Sequence, residues 1–249
     1  MTNQKLITIN LSLGSFQDFV NNILAFGKRR QSSYVCVANV HMCVETHQDS
    51  TFARIVNQAD FVTPDGVPLI KGLNFLYNIN QERVAGPDLM PALLLESEKQ
   101  GLKVYFYGST DDVLDKLKDF CLENYPKLSI AGMHSPPFRV LTEAETQIEI
   151  QNINISGANI VLVALGCPKQ ERWMANMKGQ INAVMVGVGG AFPMLVGVQK
   201  RAPLWMQRNS LEWFYRLVQE PRRLFKRYFI TNTLFIGLII REKVKIILS

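Results

Sequence analysis

Six short runs of apolar and β-branched residues recur along the chain with amphipathic stretches between them, and this alternation restricts the fold more than any other feature. The runs are YVCVANV (34–40), FVTP (61–64), KVYFYG (103–108), LSIAGM (128–133), NIVLVAL (159–165) and AVMVGVGG (183–190). Runs of this length and composition read as buried strands. Between them, PDLMPALLLESEKQG (87–101) and DVLDKLKDFCLENY (112–125) place apolar residues at three-to-four spacing, as amphipathic helices require. Pro87 with Asp88 suits a helix start and Gly101 a helix stop. Strands alternating with helices predict the α/β class: a Rossmann-like, mostly parallel sheet flanked by helices on both faces.

In such folds ligands bind beyond the carboxyl ends of the strands. Asn39, Asp65, Gly108 with Ser109 and Thr110, Gly166 and the run Gly187 to Gly190 all fall at those ends. Asp65 stands in TPDG (63–66), where Pro-Asp-Gly is good turn sequence and a carboxylate at a strand end is also a candidate acid or base. GVGGAF (187–192) has Phe192 where the dinucleotide fingerprint needs its third glycine, and the chain beyond it is basic rather than acidic. A nicotinamide dehydrogenase is therefore a poor fit. Gly189 and Gly190, like Gly108 and Gly166, remain able to cradle a diphosphate through backbone N–H groups. In LGCPKQERWM (165–174) Pro168 suits a first helical turn, which sets Gln170 and Glu171 near the crevice. Lys169 and Glu171 fit ordinary first-turn polarity as well as they fit function.

The charge is uneven. Residues 200–249 carry 11 Lys/Arg against 3 Asp/Glu, whereas residues 1–199 carry 16 against 18. The whole positive excess thus lies in the last fifth of the chain, where something anionic is the expected partner. We divide the chain accordingly into a core over 1–199 and a basic, aromatic appendage over 200–249. After Pro221 the stretch RRLFKRYFI sets Arg222, Arg223, Lys226 and Arg227 on one arc of a helix and Leu224, Phe225, Tyr228 and Phe229 on the opposite one. This pattern fits an amphipathic helix lying on an anionic membrane surface. The next apolar run, LFIGLII (234–240), is too short to span a bilayer. Nucleic acid competes as a partner, since aromatic rings among arginines can stack bases. The complete apolar arc and the lack of any nucleic-acid-binding signature weigh against it. The first residues lack the basic start and apolar run of a signal peptide, and the four cysteines have no paired spacing, so a reducing compartment is expected. His41, His47 and His134 give no metal-binding pattern, and no metal or cofactor is expected.

TPDG (63–66), RVAGPDLM (83–90), ALGCPKQERWM (164–174), GVGGAF (187–192) and KRAPLWMQRNSLEWFYRLVQEPRRLFKRY (200–228) together resemble the WecG/TagA/CpsF family of bacterial glycosyltransferases, from about Tyr34 to Tyr228. The resemblance implies an inverting, metal-independent transferase. Such an enzyme moves a sugar from a UDP-sugar donor to a polyprenyl-diphosphate-linked sugar acceptor, in cell-surface polysaccharide or teichoic acid biosynthesis. It implies a cytoplasmic protein, peripheral on the inner face of the cytoplasmic membrane, and is compatible with a homo-oligomer. It makes Asp65 the base and Asn39, Arg83 and Gln170 parts of the substrate pocket, with Arg216, Arg222 and Arg223 as candidates to meet diphosphate groups. Some relatives carry threonine two positions before the pocket asparagine, where this chain has Val37. A catalytically silent partner of a glycan assembly complex is the competing expectation.

Overall fold

The computed structural model describes residues 1–248, without the side chains of Arg223 and Arg227. The chain begins with strands β1 (Thr2–Leu6) and β2 (Ile9–Leu13), helix α1 (Phe16–Lys28), β3 (Ser33–Ala38), α2 (Val40–Gln48) and α3 (Ser50–Asn57). Next come β4 (Phe61–Pro64), α4 (Val67–Tyr77), α5 (Gly86–Gln100), β5 (Lys103–Gly108), α6 (Asp111–Asn124) and β6 (Ser129–His134). The chain continues with α7 (Glu143–Ser156), β7 (Ile160–Ala164), α8 (Lys169–Met177), β8 (Val184–Gly187) and α9 (Ala191–Leu195). It ends with α10 (Leu204–Arg208), α11 (Glu212–Gln219) and α12 (Pro221–Leu248).

All six runs read as strands pair in one parallel sheet, in the order β4-β3-β8-β7-β5-β6. Strand alternation then divides the core. In β3, Tyr34, Cys36 and Ala38 join one apolar cluster with Met42, Leu69 and Met174, while Val35 and Val37 join another with Leu89, Phe106 and Phe192. Each face is covered by helices, as a parallel sheet requires. Helix α5 starts and stops as its sequence dictates, with Pro87 in the first turn and Gly101 closing it at φ +64°.

The antiparallel hairpin β1–β2 is absent from the strands expected above. It lies beside β4, the edge strand of the sheet, where the Val62 N–H donates to Ser12 Oγ at 3.1 Å. Leu6, Ile9 and Leu11 are buried there, and the hairpin shields the edge from pairing with other chains.

The tail requires a correction. Residues 221–248 form one continuous helix of 28 residues, not a short basic helix followed by a separate apolar run. Its apolar residues also fall in two stripes rather than one arc. Leu224 and Phe235 are buried, whereas Phe225, Phe229, Ile236 and Ile240 are exposed. Neighbours such as Leu224 and Phe225 lie about 100° apart on the helix, so one stripe faces the protein and the next faces outward. Gly72 of α4 lets α12 approach: a Cβ there would stand 3.0 Å from Ile239 Cδ1. Near the end, Lys243 Nζ donates to the Phe75 carbonyl oxygen at 2.8 Å and sits over its ring. Among the described residues, no helix is long and apolar enough to cross a membrane.

Candidate functional site

The turn after β4 is built from the residues that compose it. The N–H groups of Asp65 and Gly66 both donate to the Ala38 carbonyl oxygen, at 2.9 and 3.3 Å, which ties the end of β4 to the end of β3. The Pro64 carbonyl accepts from Val84 N–H at 3.0 Å, and this brings Arg83 alongside. Arg83 Nε donates to the Asp65 carbonyl oxygen at 2.6 Å and Nη2 to Asp65 Oδ1 at 3.1 Å. The same Nη2 donates to Glu212 Oε2 at 2.7 Å, and Nη1 meets Gln207 Oε1 at 3.4 Å. Glu212 and Gln207 come from the C-terminal helices, so the appendage closes over the strand end.

Asp65 retains one-fifth of its side-chain exposure, 20%. Burial pushes its carboxyl up to about 6; Arg83 pulls the other way, Glu212 adds repulsion, and Arg83's hydrogen bond and Arg216 oppose the rise. A carboxylate in that range can accept a proton near neutral pH more readily than an ordinary aspartate.

Arg216 of α11 reaches the glycine run after β8. A Cβ on Gly190 would stand 3.2 Å from Arg216 Nη2, so the bare backbone at Gly190 admits the guanidinium. Arg216 Nε is buried without a hydrogen-bond partner. Such a donor has an unmet need that an anion satisfies. Gln170 is buried and braces two loops: its Oε1 accepts from Gly166 N–H, and its Nε2 donates to the Gly187 carbonyl, both at 3.3 Å. Gly189 lies against the same amide, with its Cβ position 3.6 Å from Gln170 Oε1. Asn39 caps α2 through Oδ1, which accepts from Met42 N–H at 3.1 Å; its NH2 group is the part chemically able to donate elsewhere. Gly66 places this cap next to Asp65, its Cβ position being 3.6 Å from Asn39 Cα.

The structure thus brings Asp65, Arg83, Gly190 and Arg216 together, with Asn39 on one side and Gln170, Gly166 and Gly189 on another. Gly108 has a different task. A Cβ there would lie 2.7 Å from the Ala164 backbone, so the residue serves the close packing of β5 on β7. Arg222 is exposed in the first turn of α12, and the side chain of Arg223 lies outside the described residues. Val37 is buried in the core. Glu171, which the sequence left open, is completely buried; burial pushes its carboxyl up to about 7, although Gln170 donates to Oε1 at 2.7 Å.

Sequence reasoning missed Glu212 and Gln207. Glu212 carries a signal in being one of three acids in a strongly basic tail, whereas nothing in the sequence distinguishes Gln207. Among the described residues, no three His, Cys, Asp or Glu side chains gather where they could hold a metal ion. A cleft of about 550 Å³ opens nearby, walled by Phe16, Pro87, Pro91, Met194, Leu195 and the Arg201–Asp88 ion pair. Met194 connects the two places, because its Cε lies 3.9 Å from the Gly190 Cβ position.

An acid and arginines gathered beyond the strand ends of a parallel sheet are the layout of an α/β enzyme that handles anionic substrates. The chain belongs to the glycosyl transferase WecG/TagA/CpsF family, whose pattern it matches over residues 4–247. It is 30% identical over 216 residues to the N-acetylglucosaminyldiphosphoundecaprenol N-acetyl-beta-D-mannosaminyltransferase of Bacillus subtilis (strain 168), covering 86% of this chain and 82% of that one. It is also 30% identical over 196 residues to the protein of the same description from Bacillus spizizenii (strain ATCC 23059 / NRRL B-14472 / W23), covering 78% and 74%.

Proposed function

We propose that the protein is an inverting glycosyltransferase that moves a hexose or N-acetylhexosamine from a UDP-sugar to a polyprenyl-diphosphate-linked saccharide, with N-acetylmannosamine the first donor sugar to test. The relatives' names support that choice of sugar and a diphosphoundecaprenol acceptor. One observation carries the reading: a strand-end carboxylate raised to about 6 stands in the crevice that also holds Arg216, whose buried Nε lacks an acceptor.

In this scheme the acceptor hydroxyl attacks the anomeric carbon as UDP departs from the opposite face, which inverts that centre. Asp65 takes the hydroxyl proton as the new bond forms. Developing charge on the departing diphosphate meets Arg216, the backbone N–H groups of the glycine run and the amino ends of α2 and α8. Asn39 and Gln170 line the donor side. No covalent intermediate is needed. The cleft beside Met194 supplies an apolar wall for the first isoprenyl units of the acceptor. Exposed Trp205, Trp213, Phe214, Phe225 and Phe229, interleaved with basic residues, suit a peripheral seat on an anionic membrane surface, where such an acceptor resides.

The test is transfer from a panel of UDP-sugars to a short-chain polyprenyl-diphosphate N-acetylglucosamine, with mass spectrometry of the product and NMR of its new anomeric centre. The expected product carries one N-acetylmannosamine in the inverted configuration, at a rate that chelators leave unchanged. Failure to transfer from every UDP-sugar would overturn the assignment, and retained configuration would overturn the single displacement.

A further inference from the structure

We propose that Glu212 is a positioning residue for Asp65: it holds Arg83 partly away from the Asp65 carboxylate. The inference deepens the reading of Asp65 as the base and rests on it.

The geometry around Arg83 supplies the argument. Its Nε donates to the Asp65 backbone oxygen at 2.6 Å, and Nη2 is the nitrogen that reaches the Asp65 carboxylate. The single nitrogen that reaches Asp65 Oδ1 lies closer to Glu212, at 2.7 Å against 3.1 Å. Elsewhere the same chain shows what an arginine does without this competition. Arg201 grips both oxygens of Asp88 through two nitrogens, each at 2.7 Å. A grip of that kind on Asp65 would hold it as a stable anion and a weak base. Glu212 prevents this by taking part of the cation for itself, and its own negative charge repels the Asp65 anion.

The groups that act on Asp65 are Arg83, from the segment before α5, and Glu212 and Arg216, both from α11. Arg201 in turn acts on the Arg83 and Glu212 charges. Two of the three charges that act on Asp65 therefore arrive with the appendage. Without Glu212, Nη2 of Arg83 is left to the Asp65 carboxylate. The carboxylate then becomes a poorer proton acceptor.

The experiment is a carboxyl ¹³C NMR titration of full-length protein labelled at aspartate, with the Asp65 signal assigned by its loss in Asp65→Asn. Wild type is expected to titrate near pH 6, and Glu212→Gln about one pH unit lower. Glu212→Asp, which keeps the charge on a shorter arm, should fall between them and serves if Glu212→Gln fails to fold. In transfer assays the acid limb of kcat/KM for Glu212→Gln should move down by the same amount. An unchanged or raised midpoint in either variant would overturn the proposal, since a merely structural role would lower stability without moving the titration. The two readings fail separately. A shifted midpoint together with full transfer by Asp65→Asn would sink the base assignment and leave the effect of Glu212 standing. An inactive Asp65→Asn with an unmoved midpoint would do the reverse.

Discussion

Asp65 forms a turn and also presents a carboxylate, and its environment favours the neutral form. A group kept protonated by burial is under strain once ionised, so removing its charge should not cost the fold much. Asp65→Asn is expected to melt at or above the wild-type temperature at pH 8 while losing transfer. Glu171 offers a cleaner case of the same physics. Its folded carboxyl titrates near 7, well above the ordinary glutamate range, so its contribution to stability is complete in acid and is lost as the pH rises through 7. Glu171→Gln should therefore melt a few degrees higher than wild type at pH 8, with the gap closing below about pH 5. Scanning calorimetry at both pH values checks the sign, and a gap that widens in acid would refute it. Gly190 tests the seat of Arg216. Gly190→Val pushes the guanidinium off the backbone and should cut kcat/KM by about 100-fold with little change in melting temperature. Asp65 and Gly190 could be singled out from residue type at a strand end, whereas Arg83 was named through the family resemblance alone. Glu212 could not be singled out, because its role depends on a guanidinium 129 positions away in sequence.

The six parallel strands were readable because burial on both faces writes a continuous apolar run. The N-terminal hairpin was not, since its strands are only five residues each and half wet, although Ile9, Leu11 and Leu13 alternate with Asn10 and Ser12. In α12 the wheel identified an apolar arc but not its division between protein and surroundings, because neighbouring apolar residues differ only in what lies opposite them. That division is testable. Phe235 is buried against the core, and Phe235→Ala should destabilise the protein by about 3–5 kcal/mol in denaturant unfolding. Phe225→Ser with Phe229→Ser should leave stability within about 0.5 kcal/mol and reduce co-sedimentation with anionic vesicles. Equal losses of stability from the two changes would mean that both stripes pack on the protein.

Over the whole molecule, the excess positive charge of residues 200–249 pointed to a specialised segment. Composition could not reveal that this segment folds back to cover α2 and α4 and sends Gln207, Glu212 and Arg216 to the strand ends. Those contacts join residues far apart in sequence, whereas periodicity reports only on near neighbours. The cluster therefore belongs to core and tail jointly: the turn after β4 brings Asp65, the tail brings Gln207, Glu212 and Arg216, and the loop after β8 supplies the backbone on which Arg216 rests. The most direct measurement is single-turnover transfer by Asp65→Asn, with donor and lipid acceptor saturating and the fold verified by its melting curve. If Asp65 is the base, the fold stays intact and the rate falls by roughly 100-fold or more. Transfer at the wild-type rate by a folded Asp65→Asn protein would contradict that role.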